Sequence, residues 1–151
     1  MIAVIQRVHN ATVYADGALS GSIGKGLYIL IGVGKDDTES DALALAEKIS
    51  KLRIFSDENG KMNLSVKDIV GEVLVVSNFT LLANYARGNR PDYLNSASPD
   101  YANRLYEHFK ALLSERIGQC QSGVFGADMR TEMSTDGPVT IVMDSTVLLK
   151  K

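Results

Sequence analysis

The chain has 151 residues, 45% apolar and 23% charged, which is enough for one domain with a real core and excludes a disordered chain. A formal charge of -2 excludes an overall basic field for nucleic acid, yet a local cluster of cations suffices to grip an RNA end. A lone Cys120 excludes an internal disulfide, no stretch spans a bilayer, and Arg7 interrupts any signal-peptide layout, so a cytoplasmic protein is expected.

Ile2 to Val8 alternates as a strand, and Ala11 to Ala15 reads as its partner. Asp16-Gly17 before Ala18 to Ile23 suits a hairpin turn. Gly26 to Gly34 holds a continuous apolar run, as in a strand covered on both faces. Thr38 is an N-cap with acidic residues behind it, and Ala42, Leu45, Ala46, Ile49 and Leu52 recur at helical spacing. Asp57-Glu58-Asn59-Gly60 is a turn between short extended pieces, because it lacks the later ligands of a calcium loop. Glu72 to Leu82 is the strongest strand. Asn84 to Ala97 is a long irregular stretch carrying Arg87 and Arg90. Ser98 and Pro99 open a second helix whose buried stripe is Ala102, Leu105, Tyr106, Phe109, Leu112 and Leu113, and Gly118 stops it. Gln119 to Phe125, Met129 to Ser134 and Val139 to Leu149 read as closing strands.

These elements predict a single α+β domain over residues 1–151 in three layers, β/β/α. Two packed, mainly antiparallel sheets form a barrel-like body, with two helices on one side.

The usual catalytic signatures are missing. His9 reads as a turn residue and His108 as a surface or half-buried one, with no neighbour suggesting a triad. One cysteine and two scattered histidines do not make a zinc site. What remains is polar residues in costly places. Alternation puts Val76, Asn78 and Thr80 on one strand face and Ser77 on the other with Val75 and Phe79. From pattern alone this is first a strand emerging into solvent. Arg7 shares a face with Ala3 and Ile5, so its guanidinium lies either at the protein edge or in a pair. Asp136-Gly137-Pro138-Val139-Thr140 reads as a turn, although a Gly-Pro bond is also able to be cis and glycine admits close backbone approach.

Ser77-Asn78-Phe79-Thr80-Leu81 and Thr135-Asp136-Gly137-Pro138-Val139-Thr140 together resemble the two signature motifs of the D-aminoacyl-tRNA deacylase family, Ser-Gln-Phe-Thr-Leu and Asn-x-Gly-Pro-x-Thr. Further matching blocks include Gln6-Arg7-Val8, Leu52-Arg53-Ile54-Phe55, Gly60 to Ser65, Gly88-Asn89-Arg90-Pro91 and Gly123 to Met129. Two positions depart from the motifs: Asn78 stands for Gln, and Thr135 for Asn.

The resemblance implies hydrolysis of the ester joining a D-amino acid to the 3′ end of tRNA, with glycyl-tRNA as a weaker substrate. It implies a homodimer in which Gly137-Pro138 of one subunit, in cis, reaches the partner's site and excludes L side chains. Arg7 would hold that loop, and Val139 and Thr140 would flank it at the substrate. Phe79 and Thr80 N–H groups, with Ser77 and Asn78 beside them, would form the catalytic turn, the tRNA 2′-hydroxyl assisting. A Thr80 nucleophile is the rival mechanism, but no base stands near it in sequence. Phe125 and Met129 would pack on the terminal adenine, with no metal or cofactor required. Two other readings stay open: a non-catalytic module binding RNA ends, and a member specialised for glycine or another small mischarged amino acid.

Overall fold

The computed structural model describes residues 1–150. Strand β1 (Ile2–Ala15) is followed by β2 (Ala18–Ile23), β3 (Gly26–Gly32), α1 (Glu39–Ser50), β4 (Phe55–Ser56), β5 (Met62–Leu64) and β6 (Glu72–Ser77). Then come α2 (Pro99–Ile117), β7 (Gln121–Ser122), β8 (Met129–Asp144) and α3 (Ser145–Leu149).

The two runs predicted as partners, Ile2 to Val8 and Ala11 to Ala15, are one strand. His9 is an extra residue between the pairs Val8↔Thr135 and Asn10↔Ser134, and such a bulge bends a strand without ending it. The turn at Asp16 and Gly17 has positive φ at both residues, 48° and 84°, as the Asp-Gly pair predicts.

Six strands form one sheet in the order β2-β1-β3-β6-β7, with β8 also on β1, while β4 and β5 pair separately. The pairings of β1 are antiparallel, and those of β6 with β3 and β7 are parallel. Beyond its bulge β1 folds back over the sheet, so Val8, Val13 and Ile23 pack with Tyr28, Leu74 and Val76 inside the barrel-like body. The Ser20 hydroxyl donates to the Ser122 carbonyl at 2.9 Å and nearly closes it. On the other face Ile29, Ile31, Val73 and Val75 pack against Leu45 and Ile49 of α1 and Leu105, Phe109 and Leu113 of α2. Strands β3 and β6 are thus covered on both faces, the condition their unbroken apolar runs predict. The expected α+β class with helices on one side is the one observed.

The helix starts follow the capping signals. The buried Asp41 carboxylate accepts from the Thr38 N–H (2.8 Å) and hydroxyl (2.9 Å) at the start of α1. Helix α2 begins at Pro99 and stops at Gly118, which has φ 94°. No helix among the described residues is long and apolar enough to cross a membrane.

Four further expectations are corrected. The predicted strand Glu72 to Leu82 ends at Ser77, and Phe79–Leu82 form a 3-10 turn. Only Gln121–Ser122 of the run Gln119 to Phe125 is strand. The last two predicted strands are the single β8, whose pairing with β1 spans both. Its predicted tail is instead the short helix α3, because the Asp144 carboxylate caps the Thr146 N–H at 2.9 Å.

Candidate active site

At the C-terminal end of β6 a cleft of about 710 Å³ opens between the sheet and α2. The chain leaves the sheet where the Asn78 N–H donates to the Ile31 carbonyl at 2.7 Å. A Cβ at Gly32 would lie 2.5 Å from Leu82 and 3.0 Å from the Asn78 carbonyl, so glycine there lets the 3-10 turn press onto β3. Asn78 caps that turn: its side-chain oxygen accepts from the Thr80 N–H at 3.1 Å and from the Thr80 hydroxyl at 2.5 Å. The Phe79 ring sits edge-on to Tyr93, centroids 4.9 Å apart, and the Ser96 hydroxyl donates to the Phe79 carbonyl at 3.3 Å.

The cleft floor is aromatic and uncharged. The Tyr28 hydroxyl lies 3.0 Å from the Thr131 hydroxyl, and the Tyr106 hydroxyl donates to the Val75 carbonyl at 2.9 Å. Burial pushes both phenols above their ordinary range, so each stays protonated at neutral pH. Phe125 tilts against Tyr106 at 6.0 Å, and Met129 also lines the cleft. Among the described lining residues there is no Asp, Glu, His, Lys, Arg or Cys.

Ser77, Asn78, Phe79, Phe125 and Met129 are therefore brought together. Thr80 is not on the cleft wall, because the strand that would have aimed it inward becomes a turn two residues earlier. Tyr28, Tyr106 and Thr131 are lining residues that pattern reading missed. Tyr28 and Tyr106 sit in apolar stripes and read as core. The available signal was the phenol hydroxyl, which needs a partner when buried.

The second predicted segment is elsewhere. Between the pairs Gln6↔Thr140 and Val8↔Thr135, one residue of β1, Arg7, faces four of β8, Asp136 to Val139, which bulge out as a loop. Arg7 is a partly buried, paired cation: it donates to the Ile54 carbonyl at 2.6 Å and meets the Asp136 carboxylate at 3.0 Å. Its Nε is close to Asp136 without hydrogen-bond alignment, so the second bond runs from its terminal nitrogen at 3.3 Å. His9, largely exposed, lies 3.8 Å from the same carboxylate. The Gly137–Pro138 peptide bond is cis, and both residues are exposed. Thr140 meets the Gln6 amide at 3.4 Å. Arg7, Gly137, Pro138, Val139 and Thr140 do not line their own chain's cleft.

Arg87 and Arg90 are exposed at the tip of a loop closed by paired backbone bonds between Asn84 and Asp92. His108 is half-buried on α2, and burial pushes the Cys120 thiol up, away from reactivity. Among the described residues no three His, Cys, Asp or Glu side chains gather to hold a metal.

Residues 4–144 match the family model described as D-Tyr-tRNA(Tyr) deacylase. The chain is 53% identical over 148 residues to the D-aminoacyl-tRNA deacylase of Thermotoga petrophila, covering 98% of this chain and 99% of that one. It is 51% identical over 145 residues to that of Anaeromyxobacter dehalogenans, covering 96% and 97%. Among solved structures, the c-Myc DNA Unwinding Element Binding Protein superposes with a TM-score of 0.89 at 37% identity, over 95% of this chain and 98% of that one. A probable eukaryotic D-amino acid tRNA deacylase superposes at 0.80 over 94% and 97%; at 14% identity it attests the fold alone. With the family model covering nearly all of the chain and relatives above half identity end to end, this protein belongs to the D-aminoacyl-tRNA deacylase family.

Proposed function

We propose that this chain hydrolyses the ester between a D-amino acid and the 3′ end of tRNA. The observation that carries the reading is the uncharged cleft with the segment Ser77-Asn78-Phe79 on its wall, in a member of this family. Ester hydrolysis needs an oxyanion donor and an activated nucleophile. No lining side chain is a carboxylate, imidazole or amine, and our reading takes the Phe79 backbone N–H as the oxyanion donor. The substrate's own 2′-hydroxyl then assists attack by water. Phe125 and Met129 offer an aromatic face and a thioether to the terminal adenine.

Chirality is set by a second copy. Gly137 and Pro138 protrude from their own chain, so they reach a neighbour's cleft more readily than their own. Strand β8 is paired on one side only, among the described residues, and exposes Met133 and Val142, a surface that a second copy would cover. Backbone carbonyls of the inserted loop would exclude an L side chain and leave room for a D side chain, and glycine has no side chain to exclude.

Incubation with D-Tyr-tRNA, L-Tyr-tRNA and Gly-tRNA tests this directly. Fast release from the first, slower release from the third and none above background from the second is the expected order. Equal D and L rates would remove the chiral step, Gly-only hydrolysis would make the chain a specialist, and binding without hydrolysis would make it an RNA-end module. Arg87 and Arg90 are the proposed phosphate contacts. Replacing both with alanine is expected to weaken tRNA binding and flatten the slope of log affinity against log salt by about 2, one unit per lost contact. An unchanged slope would return both to the solvated surface.

A further inference from the structure

We propose that Asn78 is a positioning residue for the deacylation step, selecting the Phe79 N–H as the donor presented to the substrate. The inference rests on the deacylase reading and concerns a position where this chain departs from the family motif.

A 3-10 turn begins with backbone N–H groups that have no partner inside the turn. Here Asn78 engages two of the first three. Its side-chain oxygen takes the Thr80 N–H at 3.1 Å, and its carbonyl takes the Leu81 N–H at 3.4 Å. The Phe79 N–H is left without an acceptor among the described residues, and Phe79 is on the cleft wall while Thr80 is not. The amide orientation is not arbitrary. The Thr80 N–H is an obligate donor, so the atom facing it is the amide oxygen.

The Thr80 hydroxyl donates to that same oxygen at 2.5 Å. Both lone pairs of the amide oxygen are then engaged, and the side chain is held in one plane. An amide oxygen does not take up a proton near neutral pH, so this contact gives the Thr80 hydroxyl no base. Its role is to brace Asn78. Asparagine suits this place because its short side chain closes a ring onto the N–H two residues on; the motif's glutamine is one methylene longer and is not a favoured cap.

Four proteins decide it: the unaltered chain, Asn78→Leu, Asn78→Ser and Thr80→Val, assayed on D-Tyr-tRNA, with amide hydrogen exchange read at Thr80. Asn78→Leu keeps the volume and removes the acceptor. It is expected to lower kcat ~30-fold with KM within about twofold, the signature of an interaction that matters in the transition state. Serine, which caps in the same way but more weakly, is expected to return kcat to within about fivefold of the original. Thr80→Val, which keeps the N–H bond and loses only the brace, is expected to cost less than about fivefold. Exchange at the Thr80 amide is expected to be slow in the original and serine proteins and fast in Asn78→Leu.

Unchanged kcat in Asn78→Leu, or a loss confined to KM, overturns the proposal. So does a Thr80→Val protein with activity reduced to background, which would make the hydroxyl the nucleophile. If the unaltered chain hydrolyses none of the aminoacyl-tRNAs, the deacylase reading fails instead. The exchange comparison still judges the turn: equal Thr80 protection in the original and Asn78→Leu proteins counts against the capping role.

Discussion

Asp37→Ala is expected to lower the melting temperature by roughly 6–20 °C, from a loss of ~3–5 kcal/mol at about 2–4 °C per kcal/mol. The reason is a charge buried in the chain's framework. The α-ammonium of Met1 donates to the Asp37 carboxylate at 2.5 Å and to the Ser145 hydroxyl at 2.6 Å, with Met1 only 2% exposed. The Ser145 hydroxyl donates in turn to the Asp41 carboxylate at 2.8 Å, and the Gly34 N–H donates to the other Asp37 oxygen at 2.5 Å. One network thus joins the start of β1, the loop after β3, the first turn of α1 and the start of α3. Removing the Asp37 carboxylate takes away the anion that the buried ammonium touches directly and leaves it on the Ser145 hydroxyl, which costs more than the pair itself contributes. The exposed Glu47–Lys51 pair at 3.2 Å is the contrast, and Lys51→Ala should move the melt by about 1–2 °C or less. Calorimetric melts of the two variants check this. A shift under about 2 °C for Asp37→Ala would mean that the ammonium finds water or another acceptor.

The other large effect is expected at Gly137. Its φ is 135°, and a Cβ there would lie 2.6 Å from the Val139 nitrogen and 2.9 Å from the Val139 side chain. An alanine cannot keep this backbone, so the exposed loop must change shape. The loop is anchored at its base by Arg7 to Asp136 and Ile54, away from the strained residue, so the fold itself should survive with a melt within a few degrees of the original. On the proposed function, the loop supplies substrate contacts at a neighbour's cleft. A displacement of about 1 Å there is expected to cost ~100-fold in D-Tyr-tRNA hydrolysis and to narrow the D/L ratio. Paired D and L kinetics, with the melt as the control, measure it. An unchanged ratio in a folded protein would separate Gly137 from chiral selection.

Local signals were legible wherever one stretch of chain decides its own structure. Thr38 and Ser98-Pro99 start helices, Gly118 ends one, and Asp16-Gly17 turns a hairpin, because capping and φ preferences act within a few residues. The doubly apolar runs of β3 and β6 correctly announced cover on both faces. Errors came where alternation alone had to place an end. It split β1 at His9, since a bulge and a turn both interrupt a period of two. It extended β6 through Leu82, since nothing in alternation registers a side chain capping a 3-10 turn.

The same division holds at the site. By itself the sequence determined the family and the two motif segments, while it left Arg7 either at the protein edge or in a pair. Only the tertiary structure decided that Asn78 faces the cleft and Thr80 does not, because that depends on which hydrogen bond the turn closes. It also decided that the cleft floor includes Tyr28, Tyr106 and Thr131, brought together from β3, α2 and β8 by packing across the chain. And it decided that Gly137 and Pro138 stand outside their own chain's cleft. Their place follows from register between β1 and β8, which are more than a hundred residues apart, and no local preference encodes that alignment.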